Sequence, residues 1–263
     1  TIYKQTLEAM KTDPTAYCRG LADSPDVSAA TIDELIGNVD RAFDGIVLTT
    51  DLQEAFGDAD LVIEAIAEII DEKDAFYSSI RNILPQQTIL CTNSSTLLPS
   101  AMMGFTGRED RFLALHFANN IWKNNTAEVM GTPKTSEESY EAVVEFARAI
   151  GMIALELKKE QPGYLLNSML VPFLNSAEAL LANGVADVET IDAAWTLGTG
   201  APLGPFRILD IVGLTTAYNI VAASPAAQDP DSTAGRIAAI LKQHIDEGKT
   251  GINAGEGFYK YDK

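Results

Sequence analysis

The chain has 263 residues, 46% of them hydrophobic, which is enough for one large domain or two smaller ones with a buried core. Its formal net charge of -18 argues against a nucleic-acid surface, because phosphate would be repelled, although a few local lysines could still hold a phosphorylated ligand. The two cysteines form no metal-ligand spacing and no stretch approaches roughly 18 apolar residues, so we expect no metal, no membrane partner and a reducing cytoplasm.

The first half of the chain alternates short apolar runs with helical patterns. Asp51 has the character of a helix N-cap, and Pro85 ends a helical stretch. Apolar strands separated by helices indicate parallel strands buried on both faces. The predicted strands are 45–49, 59–66, 88–92, 112–117, 126–130 and 153–157, and the predicted helices are 51–56, 70–83 and 135–150.

After Pro162 and Gly163 the strand signals vanish until the extreme C-terminus, and long helical runs take over. We therefore place a domain boundary near 159–162, which gives an α/β domain at 1–160 and an all-helical domain at 161–263. Apolar positions in the first of these helices exceed one face, which favours a homodimer interface. The predicted helices are 164–183, which Pro172 should kink, 187–197, 205–222 and 233–247.

His116 is the candidate catalytic residue. It ends the run 112–117, and strand ends are where an open α/β sheet places its reacting groups. Glu128 lies twelve residues later in another β-like run. A histidine held by a carboxylate is a general base with a fixed tautomer. The other histidine, His244, follows helical spacing and is predicted to be an ordinary helix residue.

Further polar candidates flank these elements. Asn93 and Ser95 directly follow the strand at 88–92 and could face a ligand, the alternative being a polar turn that caps the next helix. Asn167 lies in an apolar helical face, where a buried amide needs partners, and structural use in the core is the alternative.

Several short segments, each weak alone, are specific in their combined order and spacing: 60–65, 93–95, 115–117, Glu128, 162–164, 204–206 and 255–259. With them the chain resembles the L-3-hydroxyacyl-CoA dehydrogenases, including the 3-hydroxybutyryl-CoA dehydrogenases, from about residue 45 to the end. The resemblance implies an α/β Rossmann-like domain that binds NAD, followed by an all-α substrate and dimerisation domain. It also implies NAD-dependent oxidation of a short-chain L-3-hydroxyacyl-CoA to the 3-ketoacyl-CoA, or the reverse, in fatty acid metabolism.

The resemblance also implies roles for the catalytic candidates. His116 would take the proton from the substrate 3-hydroxyl as hydride leaves for NAD, and Glu128 would orient and charge-stabilise His116. Ser95 and Asn167 would hydrogen-bond the reacting oxygen or the thioester end of the acyl-CoA.

On the cofactor side, the resemblance implies that Glu64, Lys73 and Asn93 lie near NAD and the CoA phosphates. The alternative for Lys73 is a solvated helix lysine. The choice between NAD and NADP stays open.

The chain departs from the family pattern in two places. The family's H-F-x-N-P run is replaced by His116-Phe117-Ala118-Asn119-Asn120, which leaves the acyl preference open. The family's opening strand, glycine-rich turn and ribose-binding acid have no counterpart here, so we expect an N-terminally incomplete Rossmann-like domain with weak NAD binding. Two alternatives remain: a dehydrogenase of a free hydroxy acid, as in the gulonate dehydrogenases, and a non-catalytic structural relative, as among crystallins.

Overall fold

A computed structural model describes residues 2–12, 18 and 28–261 and divides the chain into two compact units, Thr1–Leu165 and Leu166–Lys263. The division falls inside a helix, whereas the sequence placed it between residues 160 and 161. The first unit carries a mostly parallel sheet with helices, and the described part of the second unit is helical. The predicted fold class, an α/β domain followed by an all-α domain, is confirmed.

In the described residues of the first unit, the sheet has five strands in the order β1-β2-β3-β4-β5. β1, β2 and β3 are parallel, β4 runs antiparallel to β3, and β5 is parallel to β4. The reversal between β3 and β4 occurs because residues 118–125 return the chain directly, without a crossover helix. The strands are β1 Leu61–Glu64, β2 Ile89–Thr92, β3 Phe112–Phe117, β4 Thr126–Gly131 and β5 Ile153–Leu157.

Three of the helices described in the first unit begin at side-chain caps that the sequence supplies. Asp51 accepts hydrogen bonds from the backbone N–H groups of Gln53 and Glu54, and Ser136 accepts one from that of Ser139. The helices described in this unit are α1 Ile2–Ala9, α2 Ala29–Asp44, α3 Leu52–Phe56, α4 Ile70–Ile80, α5 Met103–Thr106 and α6 Glu137–Ala149.

The strand predicted at 45–49 is wrong. That segment pairs with no strand among the described residues, and Leu48 is 91% exposed. Within the part of the chain that the structure describes, β1 is an edge strand and pairs with β2 alone. An apolar run becomes a strand only where a neighbour completes its hydrogen-bond ladder, and composition does not reveal whether that neighbour exists.

Two apolar clusters cover the two faces of the central strands. Leu113 and Leu115 of β3 pack with Val143 of α6, whereas Phe112 of the same strand packs with Tyr77 of α4. This alternation buries β2 and β3 on both faces, as their continuous apolar runs predict. β5 is more exposed, because it closes the other edge of the sheet.

The second unit packs its helices around a core that includes Leu174, Phe206, Leu209 and Leu241. The single helix predicted at 205–222 is instead two helices, because Gly213, with φ of 94°, turns the chain between them. The helices are α7 Tyr164–Ala182, which begins in the first unit, α8 Val188–Thr199, α9 Pro205–Val212, α10 Leu214–Ala222 and α11 Thr233–Asp246.

Two buried carboxylates organise this unit and account for two of the segments that carry the family resemblance. Asp192 accepts hydrogen bonds from the first N–H groups of α9 and from the Tyr259 hydroxyl, and Asp210 accepts from the backbone of the C-terminal segment. A Cβ at Gly204 would collide with Asp192, and one at Gly257 would collide with Asp210. Both glycines therefore serve packing in this unit.

Helix α7 is long and apolar enough to cross a membrane by its length and composition alone, although the sequence was expected to contain no such stretch. The sequence count missed it because isolated polar residues interrupt its apolar run. One of them, Glu178, is 4% exposed. The core helices of soluble proteins share this length and composition, so this feature is weak support for a membrane.

Candidate active site

His116 and Glu128 are directly opposed residues of the antiparallel β3–β4 pair, so their side chains project from the same face of the sheet. His116 Nδ1 lies 2.9 Å from Glu128 Oε2, and both side chains are buried. A carboxylate can only accept, so Nδ1 carries the proton and Nε2 presents its lone pair. The pair is thus arranged as a general base with a fixed tautomer.

Ser95 completes this arrangement from the turn that follows β2. Its Oγ lies 3.1 Å from His116 Nε2 and is positioned to donate the hydroxyl proton to it. The side chain of Ser95 is exposed, in contrast to the buried His116. A hydroxyl entering from solvent would therefore meet the lone pair of Nε2 and the Ser95 hydroxyl together.

The start of α7 contributes two groups that sequence reasoning missed. The Leu165 N–H donates to Glu128 Oε1 at 2.8 Å, and the Tyr164 ring lies over His116 with centroids 4.7 Å apart. Burial raises the pKa of Tyr164, and the nearby Glu68 and Glu128 raise it further, so this phenol stays neutral. In the sequence, the segment 162–164 marks the change to helical runs and carries part of the family resemblance, but its turn chemistry does not indicate which side chain it supports.

Asn93 joins the ends of three strands. Its Oδ1 accepts a hydrogen bond from the Phe117 N–H at 3.0 Å, and its own N–H donates to the Glu64 carbonyl at 2.8 Å. It therefore fixes the carboxyl edge of β1, β2 and β3. Its role in cofactor binding stays a prediction.

Glu64 and Lys73, predicted on the cofactor side, form a buried network inside the first unit. Lys73 Nζ lies 2.7 Å from Glu64 Oε1, and the two side chains are 1% and 0% exposed. The other oxygen of Glu64 accepts from the Tyr77 and Thr92 hydroxyls. Because Lys73 is enclosed in this network, the solvated alternative for it is wrong. The roles of Glu64 and Lys73 on the cofactor side stay predictions.

The burial of Lys73 follows from its place on α4. Lys73, Tyr77 and Ile80 are the buried residues of that helix, at spacings of four and three. The lysine thus lies on the face turned to the sheet, where the Glu64 carboxylate compensates its charge. Burial is the largest cause that raises the pKa of Tyr77, and the hydrogen bond from its hydroxyl to Glu64 raises this pKa further.

Asn167 belongs to the second unit, on α7, and is only half-buried. This differs from the enclosed amide expected from its apolar neighbours. Its contact with substrate stays a prediction.

The carboxyl edge of β1 and β2 fits the nicotinamide end of a dinucleotide. Ala65, Ile66 and Ala67 after β1 are exposed and small or apolar, whereas Ser95 after β2 presents a hydroxyl. A planar amide-bearing ring needs both kinds of surface. Among the residues that the structure describes, no strand is followed by a glycine-rich phosphate-binding turn, and no cluster of three or more acidic, histidine or cysteine side chains is placed to hold a metal.

The chain matches known proteins over almost its whole length. The family model described as 3-hydroxyacyl-CoA dehydrogenase, NAD binding domain, matches residues 11–161, and that of the C-terminal domain matches residues 163–261. The human mitochondrial hydroxyacyl-coenzyme A dehydrogenase is 36% identical over 223 residues, which is 85% of this chain and 70% of the human protein.

Two solved structures extend the similarity to the fold. A diketoreductase described in the dual catalysis of dicarbonyl compounds is 50% identical, with a TM-score of 0.79 over 98% of this chain and 85% of that one. The (S)-3-hydroxybutyryl-CoA dehydrogenase PaaH1 from Ralstonia eutropha is 27% identical, with a TM-score of 0.70 over 90% of this chain and 89% of that one.

The match to the NAD-binding domain of this family defines the class of the protein as an NAD-dependent dehydrogenase. The chain belongs to the 3-hydroxyacyl-CoA dehydrogenase family. Both the resemblance and the cofactor predicted from the sequence are confirmed.

Proposed function

We propose that this enzyme interconverts short-chain L-3-hydroxyacyl-CoA and 3-ketoacyl-CoA, with His116 as the general base. The observation that carries the proposal is the pair of contacts on one imidazole. Nδ1 is held by Glu128 at 2.9 Å, and Nε2 faces the Ser95 hydroxyl at 3.1 Å.

In oxidation, His116 Nε2 takes the proton of the substrate 3-hydroxyl while the hydrogen on C3 leaves as hydride. Bound NAD supplies the hydride acceptor. Glu128 compensates the positive charge that forms on the imidazole, and the Leu165 N–H holds the carboxylate in place. The Ser95 hydroxyl can turn from Nε2 to the substrate oxygen as that oxygen becomes a carbonyl. In reduction, the imidazolium returns its proton from Nε2 to the keto oxygen.

A second candidate keeps the chemistry and removes the CoA. The diketoreductase relative, 50% identical over 98% of this chain, acts on dicarbonyl compounds. Lys73, the lysine expected to meet the CoA phosphates, is buried in an ion pair with Glu64, and Lys4 and Lys11 form ion pairs with Asp40 and Asp33. These observations favour a substrate without phosphates, such as a free hydroxy acid or a dicarbonyl ester.

Initial-rate assays decide between the two. Acetoacetyl-CoA and ethyl acetoacetate carry the same acyl group, so their kcat/KM values with NADH isolate the contribution of CoA. A preference of at least ~100-fold for acetoacetyl-CoA, about 2.7 kcal/mol, supports the CoA substrate. Equal or better use of the ester supports the second candidate. No turnover of either, with NADH or NADPH, would leave a structural relative as the remaining explanation.

We further propose that the protein is a cytoplasmic homodimer that associates through α7. Leu166, Met169 and Leu180 are 45%, 66% and 42% exposed on this helix, which is unusual for large apolar side chains in a monomer. Light scattering should give twice the monomer mass at micromolar concentration, and Met169→Glu should shift the protein towards monomer. A monomer in the unchanged protein would refute the dimer.

A further inference from the structure

Glu68 lies in the connection between β1 and α4, and its carboxylate accepts hydrogen bonds from the turn that follows β2. Its Oε1 accepts hydrogen bonds from the backbone N–H groups of Ser95 at 3.0 Å, Thr96 at 2.8 Å and Leu97 at 3.3 Å. The hydroxyls of Ser94 and Thr96 donate to the same oxygen at 2.5 and 2.8 Å. Five donors on one oxygen mean that this carboxylate links all the residues of the turn at 94–97.

The arrangement suits a carboxylate because successive backbone N–H groups form a concavity that attracts negative charge. Burial alone would raise the pKa of Glu68, but hydrogen bonds from Ser94, Thr96 and Leu97 outweigh it and hold that pKa below its ordinary value. Glu68 is therefore ionised at neutral pH, and its hydrogen bonds are charge-assisted.

The second oxygen of Glu68 faces the buried network described above. Its Oε2 lies 3.7 Å from Lys73 Nζ, which also forms the 2.7 Å ion pair with Glu64. Lys73 is thus an anchor for the carboxylate, fixed by α4 and β1. This gives Lys73 an indirect connection to the site.

The other end of the connection is catalytic. Ser95, whose N–H is held by Glu68, places its hydroxyl 3.1 Å from His116 Nε2. Ser95 is itself exposed, so little packing fixes this hydroxyl apart from the turn. A displacement of about 1 Å at such a group is enough to lower a rate by ~100-fold.

We propose that Glu68 is a positioning residue for the dehydrogenase reaction: it holds the turn at 94–97 and thereby sets the Ser95 hydroxyl against His116. This inference rests on the proposed function, in which Ser95 and His116 act on the substrate oxygen. Glu68 acts through Ser95 and touches neither of the reacting atoms.

The test compares Glu68→Ala and Glu68→Gln in the unchanged enzyme and in a Ser95→Ala background. Glu68→Ala should lower kcat by about 10–100-fold with KM changed less than ~3-fold, because the turn loses its centre. Glu68→Gln keeps an acceptor oxygen and should retain most of the rate. In the Ser95→Ala background, Glu68→Ala should change kcat by less than ~3-fold, because the group it positions is gone.

Two controls keep the outcome unambiguous. Glu72→Gln removes an exposed charge close by in the sequence, on α4, without touching the turn, and should leave kcat unchanged. Thermal melting of each variant identifies loss of fold, and if Glu68→Ala does not fold, Glu68→Gln and Glu68→Asp are compared in the same two backgrounds, with the longer side chain keeping more of the rate.

Three results would overturn the proposal: an unchanged kcat in a folded Glu68→Ala, equal losses in both backgrounds, or equal losses for Ala and Gln, which would indicate a charge effect. Failure of the proposed function is distinguishable from these, since it would leave turnover intact in Ser95→Ala and in His116→Gln themselves.

Discussion

The ring of Tyr164 lies against the imidazole of His116, with centroids 4.7 Å apart and planes inclined by 32°. Tyr164 holds this position with φ of 54°, a left-handed conformation that costs a bulky residue about 1–3 kcal/mol. The next residue, Leu165, donates its N–H to Glu128. One strained turn thus supports both His116 and Glu128, and the surrounding packing keeps it in place.

The ring face of Tyr164 should stabilise the imidazolium that forms during oxidation. Replacement by leucine removes a cation–π attraction of about 0.5–1 kcal/mol, so the pH midpoint of the oxidation rate should move down by roughly 0.4–0.7 on the pH scale. Tyr164→Phe keeps the ring and should leave the midpoint unchanged. Profiles of kcat against pH for the three proteins check this, and equal changes in both variants would assign the effect to the hydroxyl instead.

Removal of the general base should have a larger effect. His116→Gln should lower kcat by ~10²–10⁴-fold, the range for a lost acid–base group. Glu128→Gln keeps the shape but loses a charge-assisted interaction of about 1.5–3 kcal/mol, so we expect a fall of roughly 10–150-fold. The exposed Glu145→Gln on α6 is the matched control. Near-normal turnover in His116→Gln would contradict the assignment.

The His116–Glu128 pair could be predicted because the two residues lie in consecutive apolar runs that are joined by a short connection. These runs form adjacent strands. An eight-residue loop, 118–125, allows an antiparallel return, and the register then places the two side chains opposite each other. The two strands themselves were visible in the sequence as continuous apolar runs.

The contacts of Glu68 and Tyr164 could not be predicted in the same way. Glu68 meets the turn at 94–97 only after β1 and β2 have paired, and Tyr164 reaches His116 from 48 residues further along the chain. No local pattern specifies such pairs. Lys73 is a different case, since its spacing with Tyr77 and Ile80 places it on the inward face of the helix, whereas its charge favours solvent.

The buried Lys73–Glu64 pair should be sensitive to the loss of one partner. Lys73→Met leaves the Glu64 carboxylate buried without its cation and should reduce the free energy of unfolding by about 3–5 kcal/mol. Lys73→Met combined with Glu64→Gln should recover part of that loss. The control is Lys4→Met, which breaks the exposed pair with Asp40 and should cost less than about 1 kcal/mol. Urea denaturation provides the measurement, and similar costs for the two lysines would contradict the buried pair.

Glu178 on α7 should make the stability of the protein depend on pH. It faces Leu181, Ile237, Leu241 and Phe258, and its Oε1 has no hydrogen-bond partner among the described residues. Burial raises the pKa of Glu178 to about 7. The unfolded chain releases this proton near pH 4.3, so between about pH 4.3 and 7 the folded state binds more protons, and stability falls as the pH rises through that window.

Glu178→Gln imitates the protonated carboxyl at every pH and so removes this dependence. We expect little change in the free energy of unfolding at pH 4 and a gain of roughly 2–4 kcal/mol at pH 8, because a tenfold difference in proton affinity between the folded and unfolded states corresponds to about 1.4 kcal/mol. Urea denaturation at the two pH values measures the difference, with the exposed Glu189→Gln of the same unit as the control that should show no such gain. An equal effect of Glu178→Gln at both pH values would show that this carboxyl titrates in its ordinary range and that its burial does not govern the stability of the helical unit.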